Sequence, residues 1–155
     1  MQIINTFELR IYNDIIELRR MSDWLHNACA ELALDESLAM NLDLCANEAV
    51  ANIINYAYID HDRHEIDLYI EHKINQSISL TMEDDGFPFN PFEVLPPQPF
   101  DMLENAKIGG LGIHLIRNLM HECQYRRFNN KNIITLSVSL NQKSIRPQQN
   151  AVSDI

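Results

Sequence analysis

The chain has 155 residues, 12 Lys and Arg against 22 Asp and Glu, a formal charge of −10 and 46% hydrophobic residues. That size and apolar content suit one domain with its own core and exclude a disordered acidic tail. The negative charge argues against a general binder of nucleic acid or of an anionic membrane, since both need a basic surface.

Phe7, Leu9 and Ile11 alternate with polar residues and predict a half-buried first strand. Asn13 is placed to cap a helix with Asp14 and Glu17 in its first turns. Leu18, Met21, Leu25, Ala28 and Leu32 form that helix's apolar stripe. Asp35 opens a second helix running to about Tyr58, with Leu38, Leu42, Cys45, Ala49 and Ile53 on its buried side. A charged turn from Asp60 to Arg63 follows. Ile66, Leu68 and Ile70 make one strand, and Ile78, Leu80 and Met82 the next, across a turn near Asn75. Five of the six prolines fall in residues 88–99, which therefore cannot be regular helix or central strand. A helix from about Gly112 to Met120 comes next. A weaker strand spans Cys123 to Phe128, with a turn at Asn129-Asn130. Ile134, Leu136, Val138 and Leu140 make the last strand. The order predicts an α/β two-layer (α+β) sandwich: a mixed, largely antiparallel sheet with helices on one face. Residues 143–155 are polar and read as a flexible tail.

No apolar run reaches the roughly 18 residues of a membrane span, and charges arrive at Glu8 and Arg10, too early for a signal peptide. Cys29, Cys45 and Cys123 are odd in number, with no CxxC pair, so reduced cysteines in a cytoplasmic protein are the simplest reading. His61 and His64 lack a third ligand and read as solvent-facing side chains, not as a metal site.

Three stretches point to chemistry, each with a bland alternative. Glu48, Asn52 and Tyr56 lie four apart, and so share a helix face. That helix also carries Asn47 and Asn55, although Asn is a poor mid-helix residue. Either polar groups are needed there, or this is a solvated face with incidental Asn. Glu83-Asp84-Asp85-Gly86 ends a strand; it is a plain turn or a way of presenting a carboxylate above the sheet. Gly109-Gly110-Leu111-Gly112 leads into an apolar helix. The chain has only four glycines, where average usage would give about eleven. Placing three at a helix start favours phosphate binding by backbone amides over a flexible linker. No Gly-Lys-Ser/Thr follows, so this is not a P-loop. Residues 1–104 hold 20 acids and 5 bases, residues 105–155 only 2 acids and 7 bases, so the glycine-rich end is locally basic.

Taken in order, NEAVANIINYAY, EDDGFPFNP and IGGLGIHLIRNLM resemble the N box and the two glycine boxes of the Bergerat-fold (GHKL) ATPase superfamily, which includes the sensor histidine kinases. The pattern is most similar to the anti-sigma factor serine/threonine kinase branch, which carries Glu-Ala-x-x-Asn-x-x-x-x-Ala-Tyr, here Glu48-Ala49, Asn52 and Ala57-Tyr58. The resemblance implies the Bergerat ATP-binding fold over residues 1–142, with an ATP lid at about 87–108. It implies Glu48 as the general base, Asn52 as the ligand of a magnesium ion bridging the phosphates, and Asp84 as the acceptor of the adenine amino group. Gly86 would let the chain pass close to the base. Gly110 and Gly112 would give amides to the phosphates, with Gly109 and Leu111 in the same nucleotide-binding run. Thr135 would stand beside Asp84. Lys107 would reach a terminal phosphate or be a solvated lid lysine.

The cofactors implied are ATP and Mg2+. The implied partners are a sigma factor and a STAS-type anti-sigma-factor antagonist that serves as the phosphorylation substrate. No direct nucleic-acid or membrane partner is implied, and a homodimer is in keeping with the branch. Two departures stand out. Pro88 occupies the place of a second glycine in the first box, and Tyr56 stands where the branch often has His. Pro88 keeps open the alternative of a non-catalytic, partner-sequestering ATP module. A histidine-kinase catalytic domain acting in trans is the third reading.

Overall fold

The computed structural model describes residues 2–74, 76–93 and 110–140, with the backbone alone for residues 110 and 111. Its main elements are β1 (Ile3–Tyr12), α1 (Leu18–Glu31), α2 (Glu36–Tyr56), β2 (Glu65–Lys73), β3 (Ser77–Asp84), α3 (Gly110–Leu119), β4 (Glu122–Phe128) and β5 (Lys131–Ser139). The predicted tail at 143–155, and the lid beyond residue 93, fall outside the described residues.

The start of α1 differs from the sequence expectation. Asp14, not Asn13, is the cap: its carboxylate accepts from the Ile16 N–H at 3.1 Å and starts a short 3-10 turn, Ile15–Glu17. Asn13 instead ties the strand end to a distant loop. Its side chain donates to Asp62 O and accepts from the His64 N–H. Helix α3 begins at Gly110, two residues before the expected start.

The strands lie in the order β1-β2-β3-β5-β4, and all four neighbouring pairs are antiparallel. The two-residue alternation sorts side chains onto two faces. Ile66, Leu68 and Ile70 share one face with Ile78, Leu80 and Met82 and with Ile134, Leu136 and Val138, all buried. The three helices cover this face: Met21, Leu25 and Ala28 from α1, Leu42, Cys45, Ala49 and Ile53 from α2, and Ile113 and Ile116 from α3 join the same core. Helix α2 is the middle of this layer and touches both α1 and α3. The turn between β4 and β5 has positive φ at both Asn129 and Asn130, the backbone that a two-residue hairpin with native strand twist requires.

Candidate functional site

The two middle helix-facing rows of the sheet are apolar, and the polar row that bears on the site comes next. Leu9, Leu68, Met82, Ile134 and Tyr125 line up across five strands. The next row reads Ile11, Ile66, Asp84, Asn132 and Arg127. Asp84 is 2% exposed and Asn132 is 1% exposed. Buried polar groups at this depth must be paired, and these are. Asn132 Nδ2 donates to Asp84 Oδ1 and to Phe87 O, both at 2.9 Å. The Gly86 N–H also donates to Asp84 Oδ1 at 2.9 Å. Arg127 donates to Gly86 O at 2.7 Å and to Asn132 Oδ1 at 3.1 Å. Burial raises the Asp84 pKa, and the hydrogen bonds from Asn132 and Gly86 oppose the rise.

The strand end is braced from the other side. A Cβ on Gly86 would stand 2.7 Å from Ala57 Cβ and 2.9 Å from Ala57 C, and the Phe87 N–H donates to Ala57 O. Gly86 is therefore a close-approach glycine, packed on the end of α2. His64 bridges Asp60 (2.6 Å) and Asp85 (3.0 Å), and its ring stacks on Tyr58 with centroids 4.3 Å apart. Its side chain is only 17% exposed, unlike the solvent-facing expectation. The Asp60 hydrogen bond is the main cause that raises the His64 pKa, against partial burial. Tyr58 contributes a buried hydroxyl with no partner among the described residues, and burial beside Asp84 and Asp85 raises its pKa.

The second half of the site lies between α2 and α3. Gly112, in the first turn of α3, is packed against Glu48: a Cβ there would collide with Glu48 Oε2 and stand 3.1 Å from Cδ. Only glycine lets the two approach this closely. One turn along α2, Asn52 is 8% exposed. The three asparagines clustered in the second half of this helix have separate fates. Asn47 clamps α1 to α2, donating to Ser22 Oγ and to Asp43. Asn55 is exposed, and Asn52 alone is buried. At the other end of α3, Arg117 donates to Phe92 O, which joins this helix to the segment after the first glycine.

Gly86, two residues after Asp84, thus packs on Ala57 at the C-terminal end of α2, and further back on the same helix Glu48, one turn before Asn52, packs on Gly112 of α3. Thr135 does not join them. The register pairs it with Thr81, three rungs from Asp84 and on the opposite face, where the two hydroxyls are 3.4 Å apart. Asn132 holds the place that sequence reasoning assigned to Thr135. A signal for it was present: Asn132 precedes Ile134, Leu136 and Val138 at even spacing and is therefore an inward-facing polar residue. Lys107 and Gly109 lie outside the described residues, as do the side-chain surroundings of Leu111.

The donor set fits a magnesium nucleotide better than a protein-caged metal. Among the described residues no group of three His, Cys, Asp or Glu can hold an ion. Mg2+ in nucleotide sites takes few protein oxygens and completes its shell with phosphates and water, and the buried Asn52 amide, one turn from Glu48, carries an oxygen of the kind such an ion would take.

Comparison with known proteins bears on the family and the fold. Residues 11–138 match the model of the histidine kinase-like ATPase domain. A stretch of 114 residues is 31% identical to the serine/threonine-protein kinase BtrW of Bordetella bronchiseptica, covering 74% of this chain and 80% of that protein. The fold is similar to the histidine kinase domain from the Erythrobacter litoralis EL346 blue-light activated histidine kinase, with a TM-score of 0.55 and 17% identity. That match covers 83% of this chain and 62% of that one, so the chain spans less than two thirds of the solved neighbour. With its α/β sandwich and a match over most of its length, the chain belongs to the histidine kinase-like ATPase domain family.

Proposed function

We propose that the protein is an ATP-binding anti-sigma regulatory factor that phosphorylates a serine or threonine of a STAS-type anti-sigma-factor antagonist. The observation that carries this reading is the contact of Glu48 with Gly112: it holds a carboxylate at the start of α3. A helix start is where backbone amides bind phosphate, so a general base and a phosphate cradle stand side by side.

The residues divide the work. Asp84 accepts a hydrogen bond from the adenine amino group. The first-turn amides of α3, at Gly110, Leu111 and Gly112, face the phosphates. Asn52 holds Mg2+, which when bound neutralises charge on the phosphates. Glu48 accepts the proton of the substrate hydroxyl as its oxygen bonds to the γ-phosphorus and the bond to the β-phosphate oxygen breaks. This is positioning and charge compensation, which is most of what phosphoryl transfer needs. A sigma factor is the second partner, and the site of action is the cytoplasm. Among the described residues no helix is long and apolar enough to cross a membrane.

The test is transfer of labelled phosphate from Mg–ATP to an antagonist protein, by wild type and by Glu48→Ala. The reading expects an acid-stable phosphoprotein with wild type and none with the variant at unchanged ATP affinity. Normal transfer by Glu48→Ala overturns the mechanism, and an acid-labile product marks a histidine acceptor instead. Pro88 favours a second reading, a sequestering module that binds ATP without turnover; binding with no transfer to any antagonist would establish it.

A further inference from the structure

The polar row at the sheet end contains more than an adenine acceptor needs. Asn132 Oδ1 accepts from the Tyr125 hydroxyl at 2.6 Å, from Arg127 at 3.1 Å and from the Phe89 N–H at 3.3 Å. Both Nδ2 protons are used, one on Asp84 and one on Phe87 O. The amide is therefore consumed inside the protein and has no proton left for a ligand. Its partners fix its orientation: Arg127 and the Phe89 N–H can only donate, so Oδ1 faces them and Nδ2 faces Asp84.

Two consequences follow from this one side chain. Pro88 has no N–H, and the polar groups on either side of it, Phe87 O and the Phe89 N–H, both end on Asn132. The amide thus secures the segment where the first glycine box has lost a glycine. Asp84 is also held by one oxygen, since the bonds from Asn132 and Gly86 both end on Oδ1. Burial favours a neutral Asp84, while Asn132, Gly86 and Arg127 favour the carboxylate. The distinction matters chemically. A carboxylate accepts only, which suits the 6-amino group of adenine. A protonated acid also donates, which suits the 6-oxo group of guanine.

We propose that Asn132, itself held by the β4 side chains Tyr125 and Arg127, is a positioning residue for base specificity: it keeps Asp84 an acceptor-only reader and holds Phe87–Phe89 beside it, so that adenine is accepted and guanine refused. This rests on the nucleotide-binding reading above. The test compares ATP and GTP affinities, with Mg2+, for wild type, Asn132→Ala and Tyr125→Phe. Asn132→Ala lowers the ATP-over-GTP ratio at least tenfold, and Tyr125→Phe, which leaves both Nδ2 bonds in place, lowers it about threefold. A purely structural role would weaken both nucleotides equally, so an unchanged ratio in both variants overturns the proposal. If Asn132→Ala does not fold, Tyr125→Phe decides by the same ratio.

Amide hydrogen exchange in nucleotide-free protein separates the two readings. Asn132→Ala, or Tyr125→Phe in its place, speeds exchange at Phe89 and Gly86. Faster exchange in a protein whose wild type binds no nucleotide would sink the function while the positioning stands. Unchanged exchange overturns the positioning itself.

Discussion

The two ends of the site are built in opposite ways. At the sheet end, Asp84, Asn132, Arg127, Tyr125 and Gly86 form a network that uses both polar atoms of the Asn132 amide and leaves Asp84 held by one oxygen. At the helix end, Glu48 rests on Gly112 and Asn52 is buried one turn away, with no comparable network around them among the described residues. On the proposed function, the difference follows from the task. Reading a base requires donors and acceptors fixed before the ligand arrives, because discrimination comes from groups that cannot adapt. Handling phosphates and a metal requires groups with hydrogen-bonding capacity still to give.

The comparison can be tested by loading each end. The largest effect is expected from Glu48→Gln, which keeps the shape and removes the base: phosphate transfer falls by about 10²–10⁴, with ATP affinity nearly unchanged. The paired glycine changes come next. Gly112→Ala meets the movable end of a side chain, so Glu48 shifts and the fold survives, helped by the better helix propensity of Ala. Its transfer rate is expected to drop roughly tenfold or more, as misplaced catalytic groups do, with no loss of melting temperature. Gly86→Ala meets the Ala57 backbone, which cannot move aside. It should cost about 1–3 kcal/mol in denaturant unfolding and weaken ATP binding with it. If both changes act alike, the contrast between a rigid and a yielding end is wrong.

The smallest effect concerns the His64 brace. Its pKa is raised, chiefly by Asp60, so its stabilising contribution is complete below the ordinary His value of about 6.5. That contribution is lost as pH rises through the raised value. Wild type should therefore lose stability relative to His64→Gln over that window. Parallel melting curves for the two proteins across it would show that the brace carries no weight.

Much of this was legible in the sequence, and the rest failed for physical reasons. The strands and helices followed from alternation and from the apolar stripes, and the scarcity of glycine drew attention to both boxes. Asn13 was misassigned because its partners, Asp62 and His64, lie about fifty residues away. Thr135 sits at an odd position between the inward-facing Ile134 and Leu136, so alternation alone turns it to the other face; which inward residue stands opposite Asp84 needed the pairing of β3 with β5. Composition groups Asn47 with Asn52, and only packing against α1 separates the Asn47 clamp from the buried Asn52. The Asn129-Asn130 turn already sets the β4–β5 register that pairs Arg127 with Asn132, but the bonds from Tyr125 and Arg127 to the Asn132 amide are side-chain contacts that register alone does not give.

The central claim is that the buried polar row ending in Asp84 is the adenine end of an ATP site. Calorimetric titration with Mg–ATP of wild type and Asp84→Asn tests it most directly. The account predicts saturable binding by wild type and about ten- to hundredfold weaker binding by the variant, the loss of one charge-assisted hydrogen bond. It also predicts a nucleotide-free melting temperature no lower in the variant, because a buried charge has been removed. Equal affinities, or no binding by wild type, would contradict it.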